Sequence, residues 1–182
     1  MLGLCGEEMK AELPKPPFKC PECNRVHEEL PDVGYREPYY THELSGRERT
    51  ARVQPIGMDL FILDNEHFFV RGVLLLPIKN TSSSLGFGVW STLSKPNFSR
   101  YAEHFDDDLS AWGPMFGYLS NQIPGYPDTL ALPLAVQTQG KGLRPKFRLE
   151  NGQHPLIQDQ REGMSVEKWW EIVGPVLHGP TD

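Results

Sequence analysis

The sequence predicts an α+β fold with a mainly antiparallel sheet, a few packed helices and an N-terminal Cys/His knuckle. Three observations support this prediction. Apolar segments of strand length follow one another between residues 58 and 93 with hairpin-length links, later segments have helical spacing, and Cys20, Cys23 and His27 fall within eight residues. Runs of strands followed by helices are typical of α+β domains.

The composition is that of a folded chain with many turns. The protein has 182 residues, 38% of them hydrophobic, and it contains 17 glycines and 17 prolines. This length fits one domain, and the glycine and proline content favours short elements. We predict a flexible tail at residues 1–17 and a single α+β domain at residues 18–182, with the knuckle at 18–31.

Charge and cysteine content exclude several classes of protein. The formal net charge is -6, so the chain lacks the basic footprint of a nucleic-acid-binding protein and is not attracted to anionic membranes. No segment approaches the roughly 20 apolar residues of a membrane span, and the N-terminus does not resemble a signal peptide. Three cysteines do not form a secreted disulfide framework. We therefore expect a cytoplasmic protein that binds neither nucleic acid nor membranes.

The first half of the chain predicts a short helix and three strands. Ser45 is a suitable N-cap for a helix that ends at Arg52. Residues 58–63 and 67–78 predict an antiparallel hairpin, with a bulge at Gly72 in the second strand. Residues 85–93 predict a third strand.

The second half adds helices and further strands. Ser94 and Pro96 predict a helix start, and the apolar spacing after them continues to Phe105. Strands are predicted at 112–119, 130–139 and 146–150, and residues 154–163 contain a short apolar turn that docks on the sheet. Ser165 caps a final helix, which Gly174-Pro175 should kink or end.

The knuckle has the spacing of a metal site. Cys20 and Cys23 lie on a tight turn, and His27 follows four residues later, so these side chains can supply two thiolates and an imidazole to zinc. We predict His67 as a further ligand, with His42, Cys5 or a carboxylate as the other candidates. The set favours a structural metal over a catalytic one, and a knuckle without metal remains the alternative.

Five other residues are candidate binding residues. Arg71 lies within an apolar strand and must reach solvent or an acidic partner such as Asp59, Asp64 or Asp128. Tyr126 and Asp128 lie on a rigid turn, which can present a ligand-binding surface or simply cap its own backbone. Arg144 lies in a basic, glycine-rich loop, and His154 begins the apolar turn.

Several strings together resemble one bacterial family of unknown function, DUF2199, from about Phe18 to Leu177. They are Cys20-x-x-Cys23-x-x-x-His27 with Leu30-Pro31, Glu66 to Val73, Gly88-Val89-Trp90, Pro124 to Leu130, Gly142 to Pro145, His154-Pro155-Leu156 and Gln160 to Gly163. Asn24 stands where we expect a glycine in the family, and asparagine tolerates a left-handed backbone. The resemblance implies a small bacterial cytosolic protein and supplies no activity to transfer.

The residues leave two classes of function open. One is a non-catalytic protein-binding module of the immunity-protein or adaptor type, which the acidic charge, the tyrosine-rich loops and the lack of a hydrolase or dinucleotide motif favour. The alternative is an enzyme or small-ligand-binding protein with a pocket around Arg71, Tyr126, Asp128 and Arg144.

Overall fold

A computed structural model describes residues 12–20 and 22–178. The predicted tail at residues 1–17 falls mostly outside the described residues, and so does Cys5. The knuckle contains two short strands, β1 at Phe18–Lys19 and β2 at Val26–His27, which pair in antiparallel fashion.

The main sheet has eight strands and is mostly antiparallel, which confirms the predicted fold class. Its strands are β3 (Val33–Gly34), β4 (Val53–Ile56), β5 (Leu60–Leu63), β6 (His67–Pro77), β7 (Ser84–Leu93), β8 (Met115–Tyr118), β9 (Pro133–Gln137) and β10 (Lys146–Leu149). The order is β3-β7-β6-β10-β9-β8, and β5 pairs with β6 and with β4. Two pairs, β3–β7 and β6–β10, are parallel, so the sheet is mixed.

The described chain also contains four α-helices and a 3-10 helix at Tyr39–Thr41. The α-helices are α1 (Gly46–Arg52), α2 (Lys95–Glu103), α3 (Pro155–Glu162) and α4 (Val166–His178). The predicted caps are confirmed, because Ser45 and Ser94 each accept a hydrogen bond from the backbone of the first helical turn. α3 occupies the segment for which the sequence predicted only a docked turn.

The sheet curls until its edge strand β8 meets β7. A single antiparallel bridge joins Ser91 to Leu119, and the Ser120 N–H donates to the Trp90 carbonyl at 2.8 Å. The approach is close at Gly117, where a Cβ atom would lie 2.2 Å from the carbonyl oxygen of Thr92. A residue without a side chain is therefore required where the two strands meet.

The predicted bulge at Gly72 is wrong. Pairing between β6 and β7 runs without interruption from Phe68 opposite Leu93 to Pro77 opposite Ser84. Glycine is needed at residue 72 for packing, because a Cβ atom there would lie 2.3 Å from the Phe147 ring. The uninterrupted alternation places Leu74 and its inward-facing neighbours in one large core.

Helix α4 does not end at Gly174-Pro175 but continues to His178. Trp169, Trp170, Ile172 and Val173 are buried along it. The packing of this apolar face holds the helix although Pro175 removes one backbone donor. The consequence is that the last turn of α4 reaches the knuckle.

Candidate metal centre

The knuckle turn is held by its own backbone. The Cys20 N–H donates to the Arg25 carbonyl at 2.9 Å, and the Asn24 N–H donates to the Cys20 carbonyl at 3.0 Å. Asn24 has a φ of 56°, which is the left-handed conformation that asparagine tolerates better than most residues. The turn directs the thiols of Cys20 and Cys23 to the same side.

Three donor atoms converge beside this turn. The Sγ atoms of Cys20 and Cys23 and a ring nitrogen of His178 all lie within 4.8 Å of one another. Cys20 Sγ is 3.1 Å from His178 Nε2, and Cys20 is fully buried. Ligands of a tetrahedral metal with bonds of about 2.0–2.3 Å are separated by about 3.5 Å, so the cluster has the dimensions of such a site.

His178 is also held from its other side. Its Nδ1 lies 3.1 Å from the Glu22 carboxylate, so the imidazole connects this carboxylate with the Cys20 thiol. When Nδ1–H donates to a carboxylate, Nε2 keeps a free lone pair for a metal, as second-shell partners of metal-binding histidines commonly ensure. The contacts fit a metal-ligating tautomer of His178.

Arg25 attaches the knuckle to the C-terminal end of α4. Its Nη2 donates to the carbonyl oxygens of Leu177 at 3.2 Å and His178 at 3.0 Å. The last carbonyls of a helix lack intrahelical donors, and a cation is favourable there. Arg25 therefore fixes the end of the helix that carries His178.

The electrostatic surroundings favour a thiolate at Cys23. A backbone hydrogen bond at Arg25 is the largest cause that lowers the pKa of Cys23 to about 6, and contacts with His27 and Cys20 act in the same direction. Loss of solvent opposes this shift. Because a thiolate is the form that ligates metals, Cys23 is prepared for coordination at neutral pH.

The predicted histidines occupy different positions. His27 Nε2 lies 3.4 Å from Cys23 Sγ, at the margin of the cluster, and its ring packs against Phe18. His67 begins β6 opposite Leu63, and the structure does not bring it to the two cysteines. It lines a separate cavity of about 450 Å³.

Sequence reasoning missed His178. It lies 158 residues from Cys20, and the helix that carries it was expected to kink or end before it. The sequence contained one indication of its position. Residue 178 follows Trp170 by eight residues, about two helical turns, so the two side chains lie on the same face of the helix. Trp170 packs edge-on against Phe18 of the knuckle at 6.2 Å.

Three of the predicted binding residues have structural contacts around α3. Tyr126 donates to Asp159 at 2.8 Å, and Asp128 accepts from the backbone N–H of Leu130 at 3.0 Å. His154 caps α3 by accepting from the Leu156 N–H. These contacts correspond to the structural alternative that the sequence left open for this turn.

The other two predicted binding residues meet at Asp59. Arg144 Nε donates to the Asp59 carboxylate at 2.9 Å, and the backbone N–H of Arg71 donates to the Asp59 carbonyl at 2.8 Å. Nε of Arg71 is buried without a hydrogen-bond partner in the part of the chain that the structure describes. The five predicted binding residues are thus divided between two places.

The comparisons with known proteins identify a family. A family model described as "Uncharacterized protein conserved in bacteria (DUF2199)" matches residues 19–164, more than half of the chain, so the protein belongs to this bacterial family. The match includes both knuckle cysteines and ends before His178. The comparisons with curated proteins and with solved structures found no match.

Among residues 12–20 and 22–178, no helix combines the length and the apolar character that crossing a membrane requires.

Proposed function

We propose that this protein binds zinc through Cys20, Cys23 and His178, and that the metal joins the N-terminal knuckle to the C-terminal helix. The observation that carries the proposal is the convergence of these three donors within 4.8 Å. Two thiolates and an imidazole suit zinc, and Glu22 supplies the carboxylate partner of the imidazole. His27 is the fourth ligand in this proposal, because its Nε2 is already 3.4 Å from Cys23 Sγ.

The proposed role of the metal is structural. Cys20 is fully buried, and neither the cavity beside His67 nor a second cavity beside Lys146 includes a residue of the cluster. A ligand set of Cys₂His₂ fills all four positions of tetrahedral zinc, whereas a catalytic site keeps one position for water. The zinc would supply cross-linking between distant segments rather than chemistry.

Metal analysis by mass spectrometry tests this proposal. We expect about one zinc per chain in the wild-type protein. Cys20→Ser should abolish zinc binding, whereas Cys5→Ser is the matched control and should retain it. A wild-type protein that elutes without metal after purification in zinc-containing buffer, and that takes up none on titration, would contradict the proposal.

The wider function that we propose is that of a non-catalytic protein-binding module of the immunity-protein or adaptor type, in the bacterial cytoplasm, where the knuckle cysteines stay reduced. The support is a set of aromatic side chains that are each 42–50% exposed, the ring pairs Tyr39–Tyr40 and Phe116–Tyr118. Tyr40 and Tyr118 line the same cavity. Aromatic side chains are enriched in protein interfaces. The net charge of -6 favours a basic partner protein over nucleic acid or an anionic membrane.

Site-specific photo-crosslinking in the native bacterium tests the binding role. A photoreactive phenylalanine analogue at Tyr40 should give a discrete protein adduct, and Tyr118→Ser in the same chain should weaken it. The analogue at Phe105, which is also exposed but packs against Tyr101 of α2, is the control and should give none. Equal adducts at residues 40 and 105, or none at either, would contradict the proposal.

The alternative, one ligand pocket formed by Arg71, Tyr126, Asp128 and Arg144, has less support. Tyr126 binds Asp159 of α3, and the Asp128 carbonyl lies 3.1 Å from Nε2 of the α3 cap His154, whereas Arg144 binds Asp59. The four residues therefore do not share one set of contacts. What remains of the alternative is the arginine pair, which is independent of the zinc proposal.

A further inference from the structure

Arg71 is a cation inside a sheet, and its side chain has an unsatisfied donor. It lies on β6 opposite Trp90 of β7, on the face of the sheet that also carries the buried Phe61 and Phe69. Nε of Arg71 is buried and has no hydrogen-bond partner among the described residues. Buried polar groups are nearly always hydrogen-bonded, so an unpaired guanidinium donor requires an explanation.

The acid beside Arg71 is already engaged. Asp59 directly precedes β5 and lies opposite Arg71, because Leu60 pairs with Val70. The Asp59 carboxylate, however, accepts from Nε of Arg144 at 2.9 Å. Arg144 and Asp59 are the charged groups that act on Arg71, so these three residues carry two positive charges and one negative charge. Burial and the neighbouring Arg144 both lower the pKa of Arg71, whereas Asp59 acts in the opposite direction.

The Arg71 guanidinium extends over two residues that have no side chain. A Cβ atom on Gly34 of β3 or on Gly88 of β7 would lie 3.6 Å from Nη2 of Arg71, and a Cβ on Gly88 would lie 3.9 Å from Nε. Nε and Nη2 form one edge of the planar guanidinium, the edge that binds an oxyanion with two parallel hydrogen bonds. Asp32, which precedes β3, is engaged elsewhere, because its carboxylate accepts from the Gly86 N–H of β7 at 2.8 Å.

We propose that Arg71, with Arg144 beside it, binds a small oxyanion, a phosphate or carboxylate group, over the glycines of β3 and β7. The anion would supply the acceptors that the Arg71 guanidinium lacks and would compensate the extra positive charge. Gly34 and Gly88 place no side chain of their own beside the guanidinium, and the Asp59 carboxylate accepts from Arg144. This site is separate from the metal centre and does not depend on zinc.

Titration followed by NMR of the arginine Nε–H groups tests the proposal in the full chain. At constant ionic strength, inorganic phosphate should shift the Arg71 Nε–H resonance in a saturable manner, whereas sodium chloride should not. A parallel titration with acetate separates the sources, because a shift with both anions indicates any oxyanion and a shift with phosphate alone indicates a phosphate group. Equal shifts with chloride, or no shift with either oxyanion, would overturn the proposal.

Substitutions test the same anion site without relying on a single NMR resonance. Arg71→Met should weaken phosphate binding, measured by calorimetry, by roughly tenfold or more, because it removes the charged donor. Arg47→Met removes an exposed guanidinium from α1 and is the matched control. Asp59→Asn keeps an acceptor for Arg144 but removes the competing negative charge, so it should strengthen phosphate binding. Unchanged affinity in both Arg71→Met and Asp59→Asn would show that the anion binds elsewhere.

Discussion

The curled sheet and the knuckle are stabilised in different ways. The sheet buries large apolar side chains from most of its strands in one continuous core, among them Leu74, Phe87, Leu134 and Phe147. The knuckle has two strands of two residues each and contributes mainly Phe18 and Cys20 to that core. An element this small cannot bury enough apolar surface to be stable alone, and such elements commonly depend on a metal. Loss of a bound metal should therefore destabilise the knuckle and leave the sheet folded.

The largest effect is expected from breaking the core of the sheet. Leu74 is fully buried, so Leu74→Ala should lower the free energy of unfolding by about 2–5 kcal/mol, through lost burial and a residual cavity. Urea denaturation measures the change. Leu143 is 61% exposed, and Leu143→Ala is the control that should have little effect. If the knuckle is independent of the sheet, the folded fraction of Leu74→Ala should bind the proposed zinc as the wild type does.

The next effect should be confined to the knuckle. In Cys20→Ser, hydrogen exchange should accelerate at the backbone N–H groups of residues 20 and 24, which close the turn, because the proposed metal cross-link would be lost. The N–H groups of β6 and β7 should keep their protection. If the sheet lost protection from hydrogen exchange to the same extent as the knuckle, the two regions would not be independent.

A third experiment tests which histidine completes the site. His178→Gln should lower zinc affinity strongly, because it removes a ligand from the convergent cluster. His67→Gln is the matched variant, since the sequence predicted His67 as a metal ligand but the structure places it beside a cavity that contains no residue of the cluster. Competition with a colorimetric chelator measures both affinities. Zinc loss in His67→Gln and normal affinity in His178→Gln would reverse the assignment.

The smallest expected change in stability comes from the ion pair of Glu37 and Arg49, which lies in the polar segment between the knuckle and β4. Arg49 Nη1 donates to the Glu37 carboxylate at 2.6 Å, and this contact lowers the pKa of Glu37 below its usual value. A depressed carboxylate pKa stabilises the fold above the unfolded pKa, about 4.3, and the stabilisation is lost as pH falls through the folded pKa. Glu37→Gln should therefore cost about 0.5–1 kcal/mol at neutral pH and less in acid.

Chemical denaturation at several pH values measures this difference. Glu43→Gln, at an exposed position, is the control. A cost for Glu37→Gln that stays constant from neutral to acid pH would show that its carboxylate charge does not matter.

Local patterns in the sequence predicted much of the fold. The hairpin of β5 and β6, the strand β7 and the capped helices α1 and α2 each depend on neighbouring residues, such as the turn at Asp64 or the cap at Ser94. The short strand β4 and helix α3 were not predicted. Both are short, and β4 contains a proline, so their formation depends on pairing and packing with distant segments rather than on local preference.

The fold class, the knuckle turn and two candidate metal ligands follow from local sequence, because a turn that Asn24 can form brings Cys20 and Cys23 together. The position of His178 beside them depends on tertiary packing, since this contact requires α4 to continue past Pro175 and to dock its apolar face beside Phe18. Packing likewise places Arg144 on the Asp59 carboxylate and leaves Nε of Arg71 without a hydrogen-bond partner among the described residues. Local turns follow from backbone preferences, whereas contacts across more than 80 residues depend on how the whole core packs.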